Sequence, residues 1–156
     1  MLWACLLLPH LALDTVLRRH PAPEEPLALV TGPRPRRVLS AVNAAAAARG
    51  LHRGQPVAAA EALCEGVQLV DDDPARLARA RDFLAAWAYR YSSQVSTALP
   101  GAVLLEVQGS LGLFGPWPRF EAALREDLQA LGFRHRIALA PSAVGAAVLA
   151  AHQDGL

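Results

Sequence analysis

The chain contains no lysine: all fifteen of its basic residues are arginine. Set against fourteen acids they leave a formal net charge of +1. That balance argues against a free-standing duplex-DNA binder, whose phosphate contacts normally require a clear basic excess. It leaves open nucleic-acid contact assisted by other domains or partners. Cysteine is equally scarce, with Cys5 and Cys64 each inside an apolar segment. They form no ligand-like pair and read as reduced core residues of a cytoplasmic protein. Membrane-length apolar runs are missing too. The opening stretch MLWACLLLPHLALD is too short to span a bilayer. It lacks a basic leader and a small-x-small cleavage site, and Pro9 interrupts it, so it reads as a core strand.

Familiar catalytic constellations are also lacking. Gly109 and Gly112 are followed by no lysine and do not directly open a helix, so they make no phosphate cradle. No Gly-x-Ser-x-Gly elbow occurs. His10, His20, His52, His135 and His152 are scattered without ligand spacing. Asp71, Asp72 and Asp73 are adjacent and cannot converge on one face. Asp73 before Pro74 reads as the cap of a helix.

What is present is apolar: 53% of 156 residues, enough for one full core or two small subdomains. Leu2–Leu8 reads as a buried strand ended by Pro9, followed by a short helix over 11–19. The proline-rich segment His20–Pro26 is a connector. Strands over 27–30 and 37–41 flank a turn carrying Arg34, Arg36 and Arg37, a candidate contact for phosphate or a partner. Asn43 is placed to cap an alanine-rich helix ending at Gly50, and a second short helix starts at Gly54-Gln-Pro56 and stops at Gly66. These helices make a thin, small-residue layer, unlike the bulkier second half, and point to an inserted subdomain.

After a strand over 67–70, helical spacing of Leu77, Ala80, Leu84, Trp87 and Tyr91 predicts a core helix over 75–92. A hairpin over 95–107 turns at Pro100-Gly101 and runs into the glycine-punctuated loop Gly109–Gly115. A helix over 118–131, a strand over 136–140 and a helix capped by Ser142 complete the chain. Without the insertion this is strand, helix, strand, strand, helix, strand. The expected fold is α+β, a ferredoxin-like βαββαβ antiparallel sheet backed by two helices. Its first and third strands are central neighbours, so the ends of 2–8 and 102–107 meet. Polymerase and cyclase palms mount metal-binding carboxylates there. Here those ends carry Leu-Leu-Leu-Pro9 and Leu99-Pro-Gly-Ala102. Glu106 is left as one acid deep in its strand, and Asp14 reads as a surface residue of the first helix.

These residues resemble the Y-family DNA polymerases, and more closely their ImuB branch, over the whole chain. The family's first strand runs into Asp-x-Asp-x-Phe-Tyr/Phe-Ala; in register from Met1, its two aspartates fall on Leu7 and Pro9. Its fingers motif, Tyr-x-Ala-Arg-x-x-Gly, places the triphosphate-gripping Tyr and Arg on Ala44 and Ala47. The Gly-Met/Ile-Pro-x-x-Glu-Ala segment is similar to Gly54-Gln-Pro56 through Glu61-Ala62. The Ser-Ile-Asp-Glu-Ala-Tyr-Leu-Asp hairpin places its catalytic pair on Gly101 and Ala102. A triphosphate-contacting lysine would fall near Ser142–Val144. Gly109–Gly115 is similar to the Ser-Leu-x-Leu-Phe-Gly signature of ImuB-type proteins.

The resemblance implies a catalytically inactive palm (residues 1–12 and 77–156) carrying inserted fingers (13–76), with no bound cofactor or metal. The thumb and little finger are absent from this chain, which looks like an N-terminal fragment. The implied role is a scaffold in damage-induced, SOS-type translesion synthesis and mutagenesis. Implied partners are an ImuA-like RecA-family subunit, an error-prone C-family polymerase and the sliding clamp, engaged through regions beyond this chain. The alternative is a module that holds primer-template DNA.

Overall fold

A computed structural model describes residues 1–156. In chain order the elements begin with β1 (Trp3–Leu7), α1 (Leu11–Leu17), β2 (Leu27–Thr31), β3 (Val38–Val42), α2 (Ala44–Ala48), α3 (Val57–Leu63), β4 (Gln68–Asp71) and α4 (Pro74–Ala88). There follow β5 (Val95–Ser96), β6 (Ala102–Glu106), α5 (Leu111–Phe114), α6 (Trp117–Leu131), β7 (Arg136–Ala140) and α7 (Ala143–His152), with a 3-10 turn at Gln108–Ser110. The chain divides into two compact units: Met1–Leu11 with Leu77–Leu156, and Ala12–Arg76.

In the first unit the sheet order is β5-β6-β1-β7, and every neighbouring pair is antiparallel. This is the expected α+β, ferredoxin-like arrangement, with the first and third strands of the pattern side by side. Strand side chains alternate between faces. Ala4, Leu6, Val103, Leu105 and Ile137 therefore meet Leu84 and Trp87 of α4 and Phe120, Leu124 and Leu128 of α6. Each fully buried Leu or Phe contributes roughly 1.5–3 kcal/mol. The partly buried i,i+4 Glu121–Arg125 pair of α6 contributes about 1 kcal/mol, less than a single buried Leu or Phe, so packing fixes the helix. Gly132 ends α6 in the left-handed conformation at φ 89°.

The two expected helices, α4 and α6, back one face of that sheet, and the opposite face is covered too. Cys5, Ala102, Leu104, Ala138 and Ala140 pack against Ala146 and Ala150 of α7. Small residues on both surfaces let the helix lie close to the strands. Ser142 caps it, its hydroxyl accepting from the Gly145 amide at 3.0 Å.

The second unit holds the sheet β3-β2-β4, with β2 antiparallel to β3 and parallel to β4. Ala28 and Val30 face Ala46 of α2 and Ala60 of α3, while Leu27 and Leu29 face Leu13 of α1. Asn43 caps α2 through the Ala46 amide at 2.9 Å, as its position suggested. Being buried, the same side chain also accepts from the Leu27 amide and donates to the Pro23 and Glu25 carbonyls.

Several local expectations need correction. β5 is only two residues long, so Pro100-Gly101 does not join two full strands. The turn closes from the Ala102 amide to the Leu99 carbonyl at 3.2 Å and launches β6 from a loop. The 109–115 segment is helical because Glu106 takes up its first amides and Phe114 packs into the core. Pro56 precedes α3 as its cap residue, and that helix stops at Leu63. Asp14 is buried, at 4% exposure, and not a surface residue. Cys5 and Cys64 are free and buried as expected, and burial pushes the Cys5 thiol up to about 11. No helix is long and apolar enough to cross a membrane.

Candidate functional site

The β1–β6 register sets Leu7 opposite Ala102. One step further the Leu8 amide donates to the Gly101 carbonyl at 2.7 Å. Leu7, Pro9, Gly101 and Ala102 are therefore gathered at one end of the central strand pair. Ala102 is buried, Leu7 and Gly101 are half-buried, and Pro9 is exposed. Metal ions of the kind that palms use in phosphoryl transfer need clustered carboxylate oxygens. The side chains of Leu7, Pro9 and Ala102 are aliphatic, and Gly101 has none. No group of three or more His, Cys, Asp or Glu residues anywhere in the chain is placed to hold a metal ion. The residues at this end do not fit such a site.

Glu106 stands opposite Trp3, at the far end of the same ladder. Four residue steps at 3.3 Å put it about 13 Å from the Leu7–Ala102 end. Its two carboxylate oxygens accept from the Gln108 and Gly109 amides at 3.0 and 3.1 Å. It is thus engaged as the cap of the 3-10 turn. Ser142–Val144 also lies at this far end, because Ala140 pairs with Trp3 while Arg136 pairs with Leu7. The stretch Ser142–Val144, where the chain has no lysine, is thus set at the opposite end of the sheet from Leu7 and Ala102. The half of α7 that approaches the Leu7 end is its C-terminal half, where the Arg136 guanidinium donates to the Ala151 carbonyl at 3.3 Å.

In the second unit, Ala44 and Ala47 are three residues apart on α2 and both exposed, so they share its outward face. The arginine tip divides. Arg34 and Arg36 are exposed, whereas Arg37 is partly buried and donates from Nη2 to Asp71 on β4. That hydrogen bond and the Arg37 charge hold the Asp71 carboxyl below its ordinary value. Asp72 accepts from the Ser40 hydroxyl, and Asp73 from the Ala75 amide at 2.9 Å. The three adjacent acids therefore serve three different partners.

Beside Arg37 lies a cleft of about 550 Å³, unforeseen in the sequence pattern and lined among others by Val30, Arg34, Val57, Glu61, Leu69 and Asp71. The shared face of Leu69 and Asp71, two residues apart on a strand, was the available signal. The Arg37–Asp71 pairing that lines the cleft has none, because it spans 34 residues.

A ferredoxin-like unit interrupted by a small three-stranded unit is the palm-and-fingers architecture of Y-family DNA polymerases. A post-insertion binary complex of Dbh DNA polymerase matches with TM-score 0.78 and 14% identity, over 99% of this chain and 46% of that one. DinB from Sulfolobus solfataricus matches with TM-score 0.69 and 16% identity, over 99% of this chain and 46% of its own. An insertion ternary complex of Dbh DNA polymerase gives TM-score 0.74 at 14% identity, over 97% of this chain and 46% of that one. The chain thus spans about half the length of these structures, and at such identities the likeness is one of fold. No curated protein sequence matches it. The model of the impB/mucB/samB family matches residues 12–151. The chain belongs to that family.

Proposed function

We propose that this chain is a non-catalytic, Y-family polymerase-like scaffold of the ImuB type, acting in the cytoplasm in damage-induced translesion synthesis and mutagenesis. The observation that carries the reading is the Leu7–Ala102 end of the β1–β6 ladder. There a palm offers Leu7, Pro9, Gly101 and Ala102, none of which has a side chain that can ligate a cation. The exposed methyl groups of Ala44 and Ala47 support it, since they cannot grip a triphosphate. Under this reading the palm (1–12 and 77–156) and fingers (13–76) are kept as surfaces. Their partners are an ImuA-like RecA-family protein, an error-prone C-family polymerase and the sliding clamp. Primer extension with Mg²⁺ or Mn²⁺ should give no incorporation. Template-directed incorporation that tracks with the chain through size-exclusion fractions would overturn the proposal.

A second reading, a module that holds primer-template DNA, is favoured by the exposed Arg34 and Arg36. It predicts salt-dependent binding weakened by Arg34→Ala and Arg36→Ala. If those changes spare DNA binding and abolish partner pull-down, the tip is a protein interface.

A further inference from the structure

β4 is an edge strand, with β2 as its one neighbour. The opposite edge of the same sheet is closed: the Leu39 amide donates to the Gln55 carbonyl at 2.9 Å, and the Gly54 amide to the Leu39 carbonyl at 2.8 Å. Along β4 the Gln68 and Asp72 amides turn inward, to the Pro26 and Val30 carbonyls at 3.0 and 2.9 Å. Alternate amides of a strand point to opposite sides, so those of Leu69 and Asp71 face outward. An uncovered edge of this kind is a template for strand addition. The open stretch ends where the Arg76 guanidinium caps the Asp71 carbonyl at 3.0 Å.

The cleft adjoins this edge. Leu69 and Asp71 line it together with Val30, Val57 and Ala58, and Arg34, Arg37 and Glu61 supply its remaining charges. Arg37 uses Nη2 on Asp71, whereas its Nε is buried without an acceptor. An entering carboxylate could take Nη2 and Nε together, releasing the exposed Asp71 to solvent. The two carboxylates on the rim oppose a polyphosphate backbone, which would meet them as like charges.

We propose that the β4 edge and this cleft form a docking groove for an extended segment of a partner protein, bearing an aliphatic side chain and a carboxylate two residues apart. Residues so spaced lie on one face of a strand, and both would fall over the cleft. The proposal goes beyond the non-catalytic reading and does not depend on it.

The test uses the intact chain and a fluorescein-labelled peptide, Thr-Val-Thr-Asp-Thr-Val-Thr, with its Asp-to-Lys counterpart and an oligothymidylate as comparisons. Anisotropy should saturate with the Asp peptide. Binding should weaken about tenfold for the Lys peptide, for Arg37→Gln, and for Ala58→Trp, which fills the cleft from an exposed helix position. Hydrogen exchange at the Leu69 and Asp71 amides should slow in the complex. No saturation, indifference to both variants in folded protein, or competition by oligothymidylate would overturn the groove. None of these results bears on primer extension, so the two proposals fail separately.

Discussion

Leu7 and Ala102 face each other across the β1–β6 ladder, and the turn that delivers Ala102 is held by Gly101 at φ 70°. A side chain at Gly101 would meet only the Leu8 carbonyl oxygen, at 3.5 Å, an ordinary contact. The cost of adding one is therefore conformational. Ala102 is 5% exposed and packed on the α7 side of the sheet, so a charge there must be desolvated.

Gly101→Asp should destabilise the chain by about 1 kcal/mol. Ala102→Glu should cost more, about 3 kcal/mol. Urea denaturation checks both values. An Ala102→Glu variant as stable as the parent would mean that this end accepts carboxylates freely.

Asp127 of α6 accepts on one oxygen from Trp87 Nε1 at 2.9 Å and from the Tyr91 hydroxyl at 2.5 Å. Burial, and then the bond to Asp127, push the Tyr91 phenol up from 10.0 to about 12. The fold thus favours the neutral phenol. Its contribution is complete below pH 10 and is lost as the pH rises toward 12. The denaturation midpoint should fall across that window in the parent and hold flatter in Tyr91→Phe. Asp127→Ala should lower stability by about 2 kcal/mol and bring the tyrosinate absorbance titration down.

Asn43 satisfies two amides and two carbonyls from the connector, β2 and α2. Asn43→Ala should cost about 3 kcal/mol, the cap plus the buried groups left unpaired. Asn43→Asp keeps the acceptor and loses both donors, and should fall between alanine and the parent. Hydrogen exchange at the Leu27 and Ala46 amides should rise in the same order.

Glu106→Ala should release the Gln108 and Gly109 amides and cost about 1–2 kcal/mol. Exchange at those two amides should accelerate more than at Leu104 in mid-strand. Uniform acceleration along β6 would show that the carboxylate supports the strand and not the turn.

The sheet of the first unit was legible because its evidence is additive. The apolar runs at 3–7 and 102–106, the helical stripe Leu77–Trp87 and the cap-and-stop residues of α6 each agree with one topology. The gathering of Leu7 and Ala102 follows from that topology. What stayed hidden depended on partners distant in sequence. The turn at 108–110 forms because Glu106 meets amides that a glycine-rich sequence does not advertise. The cover of α7 rests on alanines, whose small side chains give no strong periodic signal. Asp14 is a polar residue type that reads as solvated, yet it is 4% exposed. The cleft needs Arg37 and Asp71 together, and neither residue names the other.

The two cysteines fall one to each unit, Cys5 in the middle of β1 at 0% exposure and Cys64 behind α3 at 1%. Neither thiol can meet a reagent until its own unit opens. The native chain therefore carries its own pair of opening reporters, one per unit. Labelling rates at Cys5 and Cys64, followed by mass spectrometry, would read the opening free energy of each unit separately, with no residue changed.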